Sequence, residues 1–228
     1  MVTGASQGIG AGLVSAYRRA GYAVVGTSRA IAASADADYL TVQGDIADPA
    51  TARRVVERAL DGFGRIDSLV NNAGLFIGKP FTEYTAEDYE AVTSVNLAGF
   101  FHLTQLAIRQ MVAQGGGHVV NISTSLVDRP DSQRPAALTA LTKGGLAAVT
   151  RSLAIEYASR GVRVNAVALG VVRTPAHDPA SYAGMEALHP LGRIGEVADV
   201  AEGILFLERA GFVTGEIVHI DGGQAAGR

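Results

Sequence analysis

The chain has 228 residues, of which 48% are hydrophobic, and a formal net charge of −3. This length is enough to bury a sizeable core as one domain, and the charge provides neither a basic stripe for nucleic acid nor a polybasic membrane patch. The absence of cysteine excludes disulfide and thiolate chemistry. No apolar stretch is long enough to span a bilayer and no signal peptide precedes the first motif, so we predict a cytoplasmic protein. We assign no metal ligands.

Short apolar runs alternate with longer helical patterns along the chain. The predicted strands are residues 23–27, 39–42, 66–70, 118–122, 162–167 and 216–220. The predicted helices lie near residues 8–20, 49–63, 86–111, 138–159 and 197–207. This alternation predicts right-handed βαβ units and therefore a fold of the α/β class: a single-domain, Rossmann-like, doubly wound parallel sheet with helices on both faces.

Residues 3–10, TGASQGIG, carry three glycines and run directly into the first helical pattern. Glycines at this spacing let the backbone turn tightly out of a strand and approach a phosphate closely, while the start of the helix presents free N–H groups to a pyrophosphate. Only Met1 and Val2 precede the loop, whereas a central strand needs about five residues. Either the first strand is abnormally short or the chain lacks N-terminal residues.

The order of the motifs resembles that of the short-chain dehydrogenase/reductase family over essentially the whole chain. The matching pieces are residues 3–10, Asp45, residues 71–74 (NNAG), Asn96, residues 121–125 (NISTS), Lys143, residues 163–165 (RVN), Gly170 with Thr174, and residues 214–223. The resemblance implies an NAD(P)-dependent oxidoreductase of alcohols or carbonyls. It also implies one dinucleotide-binding domain over residues 1–228, with a substrate lid at about residues 175–195.

The resemblance assigns cofactor contacts residue by residue. Asp45 would accept from the adenine amino group, and Thr174 would bond the nicotinamide carboxamide. The predicted cofactor-binding set is Gly4, Ser6, Gln7, Gly8, Ile9, Gly10, Ser28, Arg29, Asp45, Ile46, Asn72, Ala73, Gly74, Lys143, Gly170, Val172 and Thr174. Two structural interpretations stand beside this one: Asp45 as a turn or capping residue, and Asn71 as a brace between strands.

The end of the second predicted strand indicates which dinucleotide binds. NAD users usually place an acidic residue there to accept from the ribose 2′-hydroxyl, but residues 26–29 read GTSR and no carboxylate comes before Asp36. Ser28 and Arg29 would hold a 2′-phosphate through charge-assisted hydrogen bonds. NADP(H) is therefore preferred and NAD(H) is possible, with a solvated Arg29 on an exposed turn as the other interpretation.

The predicted catalytic residues depart from the family pattern at one position. The family carries Tyr four positions before its Lys, and here Thr139 stands four positions before Lys143. An aliphatic hydroxyl is a far weaker acid than a phenol, whose pKa is about 10, and should not protonate an alkoxide unaided. The predicted catalytic set is Asn96, Thr124, Thr139 and Lys143, in which Thr124 fixes the substrate and Ser125 is the second choice for that role.

Three functions follow from these residues. The leading hypothesis is hydride transfer to or from a small carbonyl, imine or activated alkene, with protonation by Lys143 or by a water that Asn96 orders. The alternatives are a dinucleotide-binding protein without redox turnover, acting as a sensor or partner subunit, and a non-redox enzyme on the same fold. His177, Tyr182 and His189 are interpreted as ordinary residues of the predicted lid.

The resemblance also implies a homodimer or homotetramer. Relatives pair through the helices that correspond to residues 96–111 and 138–159. The apolar residues that allow such pairing here are Phe100, Phe101, Leu103, Leu106, Leu146, Val149 and Leu153.

Overall fold

Seven parallel strands form one sheet in the computed structural model, which describes residues 1–227. The strands are β1 (Val2–Thr3), β2 (Val24–Ser28), β3 (Tyr39–Gln43), β4 (Ser68–Asn71), β5 (Gly117–Thr124), β6 (Val162–Leu169) and β7 (Ile217–Ile220). Their order across the sheet is β3-β2-β1-β4-β5-β6-β7. Because the winding reverses between β1 and β4, a crevice opens at the carboxyl ends of these two strands. Arg228, the last residue of the predicted domain, lies outside the described residues.

Helices cover both faces of this sheet. They are α1 (Gly8–Arg19), α2 (Pro49–Phe63), α3 (Ala86–Thr93), α4 (Phe100–Ala113), α5 (Ala137–Tyr157), α6 (Tyr182–Glu186) and α7 (Val197–Arg209). One core cluster joins α1 and α7 to the sheet through residues such as Leu13 and Ile204. A second cluster joins α2, α4 and α5 to the other face, through Val55, Leu103 and Ala154. The predicted doubly wound fold is confirmed.

The first strand is short, yet it places the glycine loop. Val2 pairs with Gly26 and Val70, and Thr3 pairs with Thr27. These two residues therefore lie between β2 and β4, with the loop that follows them directed into the crevice.

The helix predicted over residues 86–111 is present and contains one irregular turn. Ser94–Gly99 forms a π-helical turn between α3 and α4, a feature that is frequent at functional sites. The continuous stretch Ala86–Ala113 passes a length-and-composition test for a membrane span, with a mean hydropathy of 1.2 in a window that is 39% buried. This corrects the expectation that no stretch would be so apolar. Leu103 and Met111 are fully buried within the protein, so this stretch packs as a sheet-covering helix.

Some of the apolar residues predicted for subunit pairing are buried in the core of the protein. Leu103 and Leu146 are at most 2% exposed and belong to the interior of the protein. Phe101, in contrast, is 56% exposed. Leu103 and Leu146, which were predicted to allow subunit pairing, therefore pack inside the protein and are not available for it.

Candidate active site

The glycine loop has the backbone shape that a bound phosphate requires. Gly4 and Gly8 have φ angles of +66° and +55°, in the region that only glycine adopts without strain. A Cβ atom on Gly10 would collide with the Gly4 carbonyl oxygen. The three glycines therefore hold a tight turn that ends at the first residues of α1.

The end of β4 is hydrogen-bonded to this loop. The Thr3 hydroxyl oxygen accepts from the backbone N–H groups of Asn72 at 3.0 Å and Ala73 at 2.8 Å, and the Asn72 amide donates to the Thr3 carbonyl at 2.8 Å. Asn71 instead donates to the Asn121 side chain on β5 at 2.9 Å. Asn71 is thus a brace between strands, while Asn72 shapes the wall of the crevice.

The crevice contains a cavity of about 370 Å³. The predicted cofactor residues that line it are Gly4, Ser6, Gln7, Gly8, Ile9, Gly10, Ser28, Arg29, Asp45, Ile46, Asn72, Ala73, Gly74 and Thr174. The sequence reasoning missed Thr27, Ala30, Gly44, Leu75, Val95, Pro175 and Ala176, which also line it. Each missed residue lies within two positions of a predicted site residue, so extending the motifs by two residues would have found them.

Three predicted cofactor residues do not line this cavity. A Cβ atom on Gly170 would lie 2.7 Å from the His189 ring, so Gly170 serves close packing. Val172 is 4% exposed and forms a bridge with Gly195. Lys143 reaches the edge, because its Nζ lies 3.0 Å from the place that a Cβ atom on Gly74 would take.

The end of the crevice beside β2, where the adenosine was predicted to bind, contains a buried hydroxyl without a partner among the described residues. The Ser28 Oγ atom is buried and, within residues 1–227, has no hydrogen-bond partner. Arg29 beside it is exposed and pairs with no carboxylate of the described chain. Asp45 uses one carboxylate oxygen to accept from the Ala47 N–H at 3.0 Å, as a turn residue does. An orphaned hydroxyl, a free guanidinium and the glycine cradle fit a phosphorylated dinucleotide.

Three hydroxyls at the end of β5 differ in what they bind. Ser123 donates to the Lys143 carbonyl at 3.3 Å, and Ser125 donates to the Asp221 carboxylate at 2.8 Å. Within residues 1–227, the Thr124 hydroxyl only accepts a hydrogen bond, from the Leu126 N–H at 3.3 Å. Its O–H is therefore still available to a substrate oxygen, whereas the second choice, Ser125, has already committed its proton.

Thr139 and Lys143 lie one turn apart on α5 and face the same way. Thr139 is 2% exposed, and its Oγ1 atom has no hydrogen-bond partner among residues 1–227. The buried Lys143 ammonium donates to the Ile122 carbonyl at 2.8 Å. Burial lowers the pKa of Lys143 to about 8, because the charged form is desolvated.

The Asn96 side chain is fixed by hydrogen bonds to neighbouring residues. It lies in the π-helical turn, where its Oδ1 accepts from the Leu75 N–H at 2.8 Å. Its amide nitrogen donates to the Leu75 carbonyl at 3.0 Å and to the Thr142 hydroxyl at 3.1 Å. Both amide hydrogens are therefore used. The side chain positions the Leu75 backbone and has no free donor with which to order a water.

The second half of the predicted lid is hydrogen-bonded to the rest of the protein through His189. His189 is buried, its Nδ1 contacts the Met185 carbonyl at 2.9 Å, and its Nε2 accepts from the Val171 N–H at 3.0 Å. Both ring nitrogens are thus occupied, which agrees with a structural role. At the other end of the lid, His177 Nδ1 lies 3.3 Å from the Thr174 hydroxyl.

The sheet topology and the crevice define a dinucleotide-binding protein of the doubly wound α/β class. Comparison with known proteins identifies the family within this class. The family described as enoyl-(acyl carrier protein) reductase matches residues 4–225. The L-xylulose reductase of Bos taurus is 38% identical over 242 residues, which cover 99% of this chain and 96% of the relative.

Two solved structures are similar in fold. ElxO with NADP bound has a TM-score of 0.91 and 28% identity, covering 99% of this chain and 97% of that one. The 3-ketoacyl-(acyl-carrier-protein) reductase of Brucella melitensis complexed with NADH has a TM-score of 0.90 and 30% identity, covering 98% and 96%. The chain belongs to the short-chain dehydrogenase/reductase family, and its site is that of an NAD(P)-dependent oxidoreductase.

Proposed function

We propose that this oxidoreductase uses NADP(H) and that the Lys143 ammonium, rather than a phenol, delivers the proton to a small carbonyl, imine or activated-alkene substrate. The observation that carries the proposal is the pair on α5. The Thr139 hydroxyl, at the position that the resemblance assigns to the family's Tyr, is buried and has no hydrogen-bond partner among residues 1–227. The desolvated Lys143 lies one turn further on. The chemistry supplied by the bound dinucleotide is hydride transfer at the substrate carbon.

Lys143 is suited to proton delivery because of its burial. With its pKa lowered to about 8, it is mostly protonated at neutral pH and yet a far stronger acid than an exposed lysine. Only one of its three N–H groups is used by a described partner, the Ile122 carbonyl. In the reduction direction one N–H bond breaks and the proton passes to the substrate oxygen or nitrogen. Solvent then reprotonates the neutral amine.

The substrate heteroatom is held by the hydroxyls that face the same site. Thr124 has an O–H free to donate, while Thr139 has both a donor and an acceptor unused. A short Thr side chain leaves more room beside Lys143 than a phenol would. Because the Thr139 hydroxyl is too weak an acid to assist, the proposal favours substrates that Lys143 alone can protonate, such as an imine or an activated double bond.

NADP(H) is the preferred cofactor because the end of β2 presents Ser28 and Arg29 without a carboxylate. The Ser28 hydroxyl is buried and lacks a partner, so an incoming phosphate oxygen would satisfy it. Arg29 adds a charge on the same rim of the cavity. NAD(H) lacks the phosphate and would gain neither contact.

The lid and the assembly complete the proposal. Residues 175–195 serve as the substrate lid, and the protein is a cytoplasmic homodimer or homotetramer. A groove of about 450 Å³ between α4 and α5, which includes the exposed Phe101 and the half-buried Val149, supports pairing through these helices.

The test combines binding and turnover. Fluorescence titration should show NADPH binding more tightly than NADH, and reduced-nicotinamide absorbance should then fall in a screen of carbonyls, imines and enones. Lys143→Met should lower turnover by about a thousandfold and weaken NADPH binding much less, since Lys143 reaches only the edge of the cofactor cavity. Lys79→Met is the matched control, because Lys79 is the only other lysine and pairs with Asp88 on the surface.

Two outcomes would contradict the proposal. Tight NADPH binding with no consumption across the whole screen would favour a protein without redox turnover. Unchanged turnover in Lys143→Met would place the proton donor elsewhere. Thr139→Tyr adds a further discrimination, because ordinary ketone reduction that appears only in this variant would show that the scaffold is intact and that the native substrate is of another kind.

A further inference from the structure

A second cavity, of about 470 Å³, lies outside the cofactor crevice. The loop between β5 and α5 lines one side with Arg129, Asp131 and Arg134. The lid contributes Gly184 and Leu188, and the segment after β7 contributes Gln224. None of these residues lines the cofactor cavity.

Two segments of the chain connect this cavity to the residues proposed to act on the substrate. The loop that lines it begins directly after Thr124 and leads into the first turn of α5, where Thr139 lies. The lid begins by lining the cofactor cavity at residues 174–176 and reaches the second cavity at Gly184 and Leu188. The lid therefore borders both cavities. The loop borders only the second cavity, but Thr124 and Thr139, which are proposed to hold the substrate, lie at its two ends.

The arginines of this cavity differ from their neighbours in lacking carboxylate partners. Arg173, just before the lid, is ion-paired with Glu196 at 2.9 Å, and Arg193, within the lid, is ion-paired with Asp199 at 2.7 Å. Arg134 has no side-chain hydrogen bond or ion pair within residues 1–227.

The Arg129 guanidinium makes one hydrogen bond, to an uncharged backbone group. It donates to the Gln224 carbonyl at 3.1 Å, which leaves its other N–H groups free. The Asp131 side chain makes its hydrogen bond within its own loop: one carboxylate oxygen accepts from the Gln133 N–H at 2.9 Å. Two arginines and one aspartate give the lining a net charge of one positive unit, and the guanidiniums carry most of the free donors.

We propose that this cavity binds a carboxylate of the substrate through Arg134 and Arg129, so that the substrate is an oxo acid or the corresponding hydroxy acid. A guanidinium matches a carboxylate with two parallel hydrogen bonds, and a lining with one net positive charge suits a singly charged group better than a dianionic phosphate. The inference rests on the proposed oxidoreductase function for its reaction, but the binding of the carboxylate does not depend on turnover.

The first experiment measures selectivity. Linear keto acids of increasing chain length are compared with their methyl esters as substrates, using NADPH as the reductant. The acid of the best length should have a kcat/KM about 30-fold higher than its ester. Arg134→Gln should reduce this preference to about threefold. The control Arg58→Gln, an exposed arginine on α2 that lines neither cavity, should leave it unchanged.

The second experiment measures binding without reaction. Protein saturated with NADP⁺ cannot reduce a ketone, so calorimetry with the best keto acid gives a dissociation constant directly. Arg134→Gln should raise that constant about tenfold, and Arg134→Lys should restore part of the loss because the charge is kept.

The outcomes separate this inference from the proposed function. Equal use of acid and ester, with calorimetry unaffected by Arg134→Gln, would overturn the carboxylate subsite and leave the oxidoreductase in place. Arg134-dependent binding without any turnover would support the subsite and count against the proposed reaction. A stronger preference for dihydroxyacetone phosphate over dihydroxyacetone than for any acid over its ester would also overturn the carboxylate assignment.

Discussion

The two ends of the parallel sheet differ in whether their buried polar groups have hydrogen-bond partners. At the amino ends of the strands, the Glu208 side chain is 8% exposed and fully engaged. It accepts from the Tyr17 hydroxyl at 2.8 Å and the Ser68 hydroxyl at 2.6 Å, and it contacts His118 at 3.2 Å. Every group in this cluster has a partner within the protein, which is the usual state of buried polar atoms.

At the carboxyl ends the pattern is reversed. Ser28 and Thr139 are the two described residues with a buried side-chain polar atom that lacks a partner, and the buried Lys143 uses a single acceptor. An unpartnered buried group costs about 1–3 kcal/mol. Such a cost is tolerated where a ligand supplies the missing partner. The comparison teaches that hydrogen-bond satisfaction, more than burial, separates the structural end of this sheet from the functional one.

The largest expected effect lies at the structural end. Glu208→Ala should lower the free energy of unfolding by about 4 kcal/mol, because three buried partners lose their acceptor and a small cavity forms. Urea denaturation measures this loss. Glu202→Ala on the same helix is the control, since Glu202 is exposed, and it should change stability by less than about 0.5 kcal/mol. A loss of equal size in both variants would remove the distinction between the two ends.

The next effect is a pH dependence at the functional end. The folded-state pKa of Lys143, about 8, lies below its ordinary value of 10.5. Between these two values the unfolded chain binds more protons than the folded one, so the free energy of unfolding rises with pH across this window. The buried ammonium therefore costs about 3 kcal/mol at pH 7, and the cost disappears toward about pH 10.5.

Lys143→Met tests this cost by comparison with the parent protein. The variant should be more stable at neutral pH, and its advantage should shrink as the pH rises through the window. The raised pKa of Tyr17 acts in both proteins and cancels in the difference. Lys79→Met, on the surface, should show no pH-dependent difference. An advantage of Lys143→Met that stayed constant with pH would mean that packing, rather than charge, is responsible.

A smaller effect concerns cofactor choice. Ser28→Ala should weaken NADPH binding about fivefold while leaving NADH binding unchanged, because one hydrogen bond to the 2′-phosphate is lost. Fluorescence titration with both dinucleotides gives the ratio. Ser15→Ala is the matched control, since the Ser15 hydroxyl bonds only to the Ala11 carbonyl on the exposed side of α1. Equal weakening of both cofactors would place Ser28 outside the 2′-phosphate contact.

Much of this molecule was predictable because its signals are local. Strand and helix periodicity gave the sheet and its two helical layers, and the spacing of Gly4, Gly8 and Gly10 located the crevice. The helix predicted over residues 86–111 is confirmed as Ala86–Ala113, but periodicity did not predict its π-helical turn. The Asn96 side chain in that turn exchanges hydrogen bonds with the Leu75 backbone, 21 positions away in sequence.

The details of the substrate side were not predictable for the same reason. Ser123, Thr124 and Ser125 all offer a hydroxyl, and the sequence favoured Thr124, with Ser125 second, only by its distance from Asn121. Only the fold shows that Ser125 donates to Asp221, which is 96 residues away. The cavity lined by Arg134 likewise combines three separate segments of the chain. Local patterns identify which residue types are present, whereas their commitment to partners is decided by tertiary contacts.

The smallest effect on stability is the most specific to the comparison, because it predicts opposite signs for the same substitution on one helix. Thr139 and Thr150 are both buried on α5, but the Thr150 hydroxyl accepts from Asn121 at 2.9 Å and donates to the Leu146 carbonyl at 2.7 Å. Thr139→Val removes an orphaned hydroxyl and should stabilise the protein by up to about 1 kcal/mol, whereas Thr150→Val should destabilise it by about 1–2 kcal/mol. Denaturation in the absence of any dinucleotide measures both. If Thr139→Val were as destabilising as Thr150→Val, the Thr139 hydroxyl would have a partner within the protein, and it would no longer be available to a substrate.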